Sequence, residues 1–163
     1  MPVTDGHPEL SRFSSADSGT GQGTLVAFLE AHKTLPRLMS AKSAMLGELR
    51  LEHARSVLDV GCGLGDDVIL MARRLPPGGK ATGVDASYAM TSQAERRARG
   101  LGLNVCFQTG DAASLPFADG SFDACRAERL LIHVPGPQRV IAEMTRVTRP
   151  GGRIAAWNPT WGM

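Results

Sequence analysis

Val57-Leu58-Asp59-Val60-Gly61-Cys62-Gly63-Leu64-Gly65-Asp66-Asp67 reads as an apolar strand that runs into a glycine-rich turn and then into a helix. Glycine allows positive φ and close approach of the backbone to a bound molecule, while the free amides at the helix start face the same place. The spacing is G-x-G-x-G, not the G-x-G-x-x-G that seats a pyrophosphate in dinucleotide folds. Asp66 and Asp67 fall in the first helical turn, where two phosphates would have to lie. Their charge opposes a pyrophosphate and favours a ligand with cationic groups. As residues of a helix start they also serve as caps.

Outward from this stretch, strands alternate with helices. Ser56 to Val60 is the first strand. A helix then opens at Asp66 or Asp67, carries Ile69, Leu70 and Ala72, and stops before Pro76-Pro77-Gly78-Gly79. Ala81 to Asp85 is the second strand, and Ser87 caps a helix that runs to Arg99. Strands follow at Leu103 to Gln108 and Phe122 to Arg126, then a helix at Pro137 to Val147 and a fifth strand at Arg153 to Trp157. Such alternation predicts an α/β, doubly wound, mostly parallel sheet with right-handed crossovers, in the order 3-2-1-4-5. Ahead of it, residues 1–22 lack an apolar period and read as a flexible arm. Residues 23–52 read as a helical cap: one helix from Thr24 that Pro36 interrupts, and a second through Met45, Leu46 and Leu49. Residues 53–163 form the sheet domain.

Composition excludes several classes. The 163 residues carry a formal charge of +2 with the two signs mixed along the chain, too mild a balance for a nucleic-acid or membrane surface. Arg96, Arg97 and Arg99 read as a solvated helix face. Cys62, Cys106 and Cys125 lack metal-ligand spacing and read as small buried residues, with Cys62 the exception that can line the pocket. No run approaches the about 20 apolar residues of a membrane span, and the N-terminus lacks a basic region followed by an apolar core. The expected compartment is the cytoplasm.

Four segments in order carry a family resemblance: Val57 to Asp67; Thr82-Gly83-Val84-Asp85-Ala86-Ser87; Gly110-Asp111-Ala112 through Leu115 to Asp123; and Arg146 to Arg153. With them the chain resembles the class I S-adenosylmethionine-dependent methyltransferases, near the ubiquinone/menaquinone-biosynthesis-like group. The sulfonium and ammonium of S-adenosylmethionine match the cationic preference of the glycine turn. The resemblance implies that Gly61, Cys62, Gly63 and Gly65 line the cofactor and that Asp59 holds its ammonium directly or through water. It also implies that Asp85 accepts both ribose hydroxyls, that Ala86 and Met90 flank the adenine, and that Asp111, between Gly110 and Ala112, receives the adenine amino group. Arg126, Ala127 and Glu128 would border the methionine moiety, chiefly through backbone carbonyls. Two bland readings stand beside these: Asp59 as a brace of the glycine loop, and Asp111 as an Asx turn.

Methyl transfer from a sulfonium needs neither a metal nor a covalent nucleophile, because the leaving group is already activated. A base helps only where the acceptor is protonated, and His133, just past the fourth strand, is the candidate. His7, His32 and His53 have no partner motif and are expected to face solvent. The acceptor is expected to be a small apolar or quinone-like molecule methylated on oxygen or carbon. A complete family member continues past the fifth strand with a helix and an antiparallel strand pair, which this sequence lacks. That strand would otherwise be an open apolar edge, so the chain is expected to be a fragment or to self-associate through that edge, and a non-catalytic binding module that needs a partner to complete the sheet is the alternative function.

Overall fold

The computed structural model describes residues 36–158, together with Ala27. The 1–22 arm, His7, His32 and the helix expected from Thr24 through Leu29 thus fall outside the described residues, apart from Ala27. The elements are α1 (Pro36–Glu48), a short 3-10 turn (Leu51–His53), β1 (Ser56–Val60), α2 (Asp66–Ala72), β2 (Lys80–Asp85) and α3 (Tyr88–Ala98). They continue with β3 (Val105–Thr109), β4 (Phe122–Glu128), α4 (Pro137–Val147) and β5 (Thr148–Trp157). The strands form one parallel sheet in the order β3-β2-β1-β4-β5, as the sequence predicts.

Strand periodicity sorts the core into two layers. Val57, Ala81 and Ala124 pack with Leu46 of α1, Val68 and Met71 of α2 and Ala94 of α3. The alternate positions Leu58, Val60, Cys125 and Ala127 pack with Val140, Met144 and Val147 of α4. Both sheet faces are thereby covered, as parallel sheets require. Each fully buried Leu, Val or Met contributes about 1.5–3 kcal/mol. Helix α4 forms because Pro137 presets its first turn and because its apolar residues recur at spacings of four and three, one stripe of a helix. Helix α3 starts where expected, with Ser87 Oγ accepting the Met90 amide at 3.2 Å.

Several boundaries differ from the sequence reading: β2 begins at Lys80 and β3 runs from Val105 to Thr109. The described α1 runs from Pro36 to Glu48, so Met39, Met45 and Leu46 share one helix, and Leu49 lies in the turn after it; what precedes Pro36 lies outside the described residues. Strand β4 runs past Arg126 to Glu128. Strand β5 begins at Thr148, because the turn-like Arg149-Pro150-Gly151-Gly152 is absorbed as a bulge: Phe122 pairs with Thr148, but Ala124 pairs with Arg153. Gly151 has φ 78 there, and a Cβ on Gly152 would stand 2.7 Å from the Asp123 carbonyl. Asp123 fastens the amino ends of three elements. It accepts the Arg55 and Ser56 amides at 2.6 and 3.0 Å and pairs with Arg149. Among the described residues no helix is long and apolar enough to cross a membrane.

Candidate functional site

Order reversal in the sheet falls between β1 and β4, and the glycine turn leaves β1 at that crevice, the usual ligand position of open α/β sheets. The Gly61 and Cys62 amides both donate to the Val84 carbonyl, at 2.7 and 2.9 Å, so the turn is tied to the end of β2. Gly61, Gly63 and Gly65 all have positive φ, at 75, 51 and 78°. Their surroundings separate them. A Cβ on Gly61 would meet Leu130 at 3.0 Å, and one on Gly65 would lie 2.6 Å from the Phe107 ring and 2.8 Å from Ala94. At Gly63 a Cβ would meet nothing within 4 Å. The three glycines thus differ in surroundings: Gly65 lets α2 close onto α3 and β3, Gly61 admits Leu130, and Gly63 borders open space.

The Cys62 side chain belongs to the core. Its thiol turns into the core, where a Cβ on Gly83 would touch Sγ at 2.8 Å, and burial raises its pKa. Its backbone alone belongs to the turn.

Asp85 closes β2 with its carboxylate between two loops. Oδ2 accepts the Gly63 amide at 2.8 Å and Oδ1 the Ser87 amide at 3.0 Å. These bonds fix its orientation, and since a carboxylate has about four acceptor sites, they are compatible with binding a ribose diol. Ala86 beside it is exposed, whereas Met90 is buried at 3 % exposure. The Gly110 amide donates to the Asp85 carbonyl at 3.0 Å, which brings the next loop alongside. There the exposed Asp111 accepts the Ala113 amide at 2.8 Å, the Asx-turn geometry, with Ala112 half-buried between them.

At the other side of the crevice lies a group of charges that the sequence reading missed. Asp59 of β1 and Arg126 of β4 are register partners, and both point to the face that carries α1 and α2. Arg126 is 0 % exposed; its Nη1 lies 2.9 Å from Asp67 Oδ2 and 3.5 Å from Asp59 Oδ2, and its Nη2 bonds Glu128. Lys42 of α1 donates to both oxygens of Asp67 at 2.9 Å and stands 3.5 Å from Glu128. The Arg126 side chain is thus engaged with acids of the protein. Asp67 is not a bare negative field, since two cations hold it. Asp66 pairs with Arg97 at 3.0 Å, so Arg97 also departs from the expected solvated face.

Distances decide where the proton in this group resides. Burial pushes the Asp59 carboxyl up to about 7, and Arg126 offsets only part of that rise. Burial acts on Asp67 in the same sense, but the nearer Arg126 and Lys42 outweigh it and hold Asp67 below the usual carboxylate range. Asp59 is thus the acid of the group that becomes charged only near neutrality.

Past β4, Arg129 adopts φ 56 and its amide donates to the Trp157 carbonyl at 2.8 Å. A turn follows in which the His133 amide donates to Leu130 O at 2.9 Å. His133 is half-buried; burial and then the Arg129 cation lower its pKa, so its imidazole is neutral at pH 7. His53 is exposed, as expected. No group of three or more His, Cys, Asp or Glu suited to a metal occurs among the described residues.

The open space at Gly63, the braced Asp85 and the charge group at the ends of β1 and β4 lie along the carboxyl ends of neighbouring strands. A methyltransferase domain matches residues 57–152, and the chain belongs to that family. It is 40 % identical over 136 residues to an uncharacterized 37.1 kDa protein in transposon TN4556 of Streptomyces fradiae, covering 83 % of this chain and 39 % of the relative. To a demethylmenaquinone methyltransferase of Listeria welshimeri it is 39 % identical over 108 residues, covering 66 % of this chain and 46 % of that protein. Among solved structures, geranyl diphosphate methyltransferase in complex with SAM superposes with a TM-score of 0.66 at 28 % identity, covering 73 % of this chain and 48 % of the other. The chain thus spans under half the length of these relatives.

Proposed function

We propose that this chain binds S-adenosylmethionine and belongs to a protein that transfers the methyl group to oxygen or carbon of a small, apolar, quinone-like acceptor. The observation that carries the reading is Gly63: a left-handed glycine whose amide donates to Asp85, beside which a Cβ would meet nothing, in the turn that leaves β1 where the strand order reverses. The named activity of the Listeria relative supports the acceptor class, and the SAM-bound neighbour supports the cofactor.

When bound, S-adenosylmethionine supplies a methyl group on a positively charged sulfur. The chain contributes position: the glycine turn admits the ligand, Asp85 orients the ribose, and Ala86 and Asp111 border the base. Asp59, within the Arg126 group, answers the ammonium. Neutral His133 can accept a proton from a hydroxyl acceptor. Alignment and exclusion of water supply most of the acceleration. Incubating the protein with methyl-labelled S-adenosylmethionine and a panel of quinols and phenols tests this reading; label should appear in an acceptor.

One observation favours a second reading, a binding module completed by another strand. Among the described residues β5 has β4 as its single neighbour, and Ile154 on it is 43 % exposed. Self-association through that edge is the form this reading takes. Cofactor binding without transfer to any acceptor, in a chain that scatters light as a dimer, would favour it over the first.

A further inference from the structure

The charge group around Arg126 asks for a reason, because burying ions is costly and a well-packed apolar core of similar volume is often as stable or more so. Its members come from α1, α2, β1 and β4, and they meet at the end of the sheet where the ligand is expected. Lys42 is the side chain of α1 that makes ion pairs with other elements among the described residues. Its two contacts lead to different parts of the site. Asp67 stands in the first turn of α2, directly after the glycine turn. Glu128 ends β4, directly before the segment that carries Arg129 and His133. A single ammonium therefore joins α1 to the helix that follows the glycine turn and to the end of β4.

Helix α1 is held unevenly. Its carboxyl half and the turn after it are rooted in the core through Met45, Leu46 and Leu49, whereas Pro36 and Ser40 are exposed and Met39 is 56 % exposed. Met39 and Lys42 are three residues apart and so share a helix face. Without Lys42, the amino half of α1 has no described ion pair to the sheet.

We propose that Lys42 is a positioning residue that straps α1 across the ends of β1 and β4, so that filling the cofactor site tightens the apolar wall presented to the acceptor. The proposal rests on the cofactor reading above. A cationic ligand group beside Asp59 favours that acid's charged form, which draws Arg126 toward it and leaves Asp67 and Glu128 more fully to Lys42. Among the described residues Lys42 is the ion-pairing side chain through which that shift reaches α1.

Hydrogen exchange with mass spectrometry on wild type, Lys42→Met and Lys42→Arg, each with and without S-adenosylhomocysteine, tests it. Expected in wild type and Lys42→Arg is slower exchange of residues 36–48 on adding ligand. Lys42→Met should keep the protection of the glycine turn at 61–65 but lose that of 36–48, and its ligand-free helix should exchange about tenfold faster. A helix that merely packs would show no ligand-dependent part. Ligand protection of 36–48 retained in Lys42→Met would overturn the strap. If wild type fails to bind S-adenosylhomocysteine, the cofactor reading falls instead, and unchanged ligand-free exchange of 36–48 in Lys42→Met would overturn the strap on its own.

Discussion

Alanine at Gly63 and at Gly65 should have opposite consequences, although the two glycines belong to one turn and both have positive φ. At Gly65 a Cβ would lie 2.6 and 2.7 Å from two carbons of the Phe107 ring and 2.8 Å from Ala94 Cβ, with φ 78. The left-handed conformation costs a non-glycine residue about 1–2 kcal/mol. Overpacking against a ring and a helix adds about 1–3 kcal/mol. Gly65→Ala should therefore lose about 2–5 kcal/mol. At Gly63, φ is 51 and nothing lies within 4 Å, so only the first cost applies, about 1–2 kcal/mol. For a domain of this size 1 kcal/mol corresponds to about 3–4 °C in melting temperature. Gly65→Ala should then melt roughly 6–20 °C below wild type and Gly63→Ala roughly 3–8 °C below. Calorimetric titration at 25 °C should order them the other way. The new methyl group of Gly63→Ala enters the ligand's space and should weaken S-adenosylhomocysteine binding at least about tenfold, or 1.4 kcal/mol. Gly65→Ala, where still folded, should bind nearly as wild type does. Equal melting losses would refute the packing argument, and wild-type affinity in Gly63→Ala would move the ligand away from this turn.

Asp85→Ala should weaken S-adenosylhomocysteine binding by about 1–3 kcal/mol, roughly 5- to 150-fold, because ribose hydroxyls and the Gly63 amide both lose an acceptor; an unchanged dissociation constant would remove Asp85 from the site. Asp59 carries a pH signature. Its folded-state pKa is raised from 3.8 to about 7, so the native chain binds the extra proton and stability from this group is lost as pH rises between those values. Asn mimics the protonated acid, so urea midpoints should show Asp59→Asn gaining on wild type from pH 4 to 7 and the gap levelling above that; a gap independent of pH would contradict the assignment. Ser87→Ala should cost about 1 kcal/mol of stability through loss of the α3 cap, read as a shifted urea midpoint at unchanged slope. Loss below about 0.3 kcal/mol would mean the cap bond is not made.

Much of the fold was legible because local signals and global topology agree. The apolar run Ser56 to Val60 and the stripe of Val140, Met144 and Val147 behind Pro137 mark β1 and α4 to the residue. The misreading at β5 has a cause, which is that proline and glycine mark a change of direction without saying which one. Arg149-Pro150-Gly151-Gly152 reads as a connection although the pairing with β4 makes it a bulge. At the site, Asp85 and the glycines stand out by position after a strand. The Arg126 group does not, because it depends on Asp59 and Arg126 being cross-strand partners and on Lys42 arriving from a helix outside the motifs. Cys62 shows the converse: next to a ligand turn in sequence, its side chain still belongs to the core, because only the backbone follows the turn.

The central claim is that the ends of β1, β2 and β4 hold S-adenosylmethionine rather than a dinucleotide. Isothermal titration of the folded chain with S-adenosylhomocysteine, with NAD run in parallel, tests it most directly. Micromolar binding of S-adenosylhomocysteine with no heat from NAD is the predicted result; NAD binding with equal or greater affinity, or no binding of either by a chain that melts cooperatively, would contradict it.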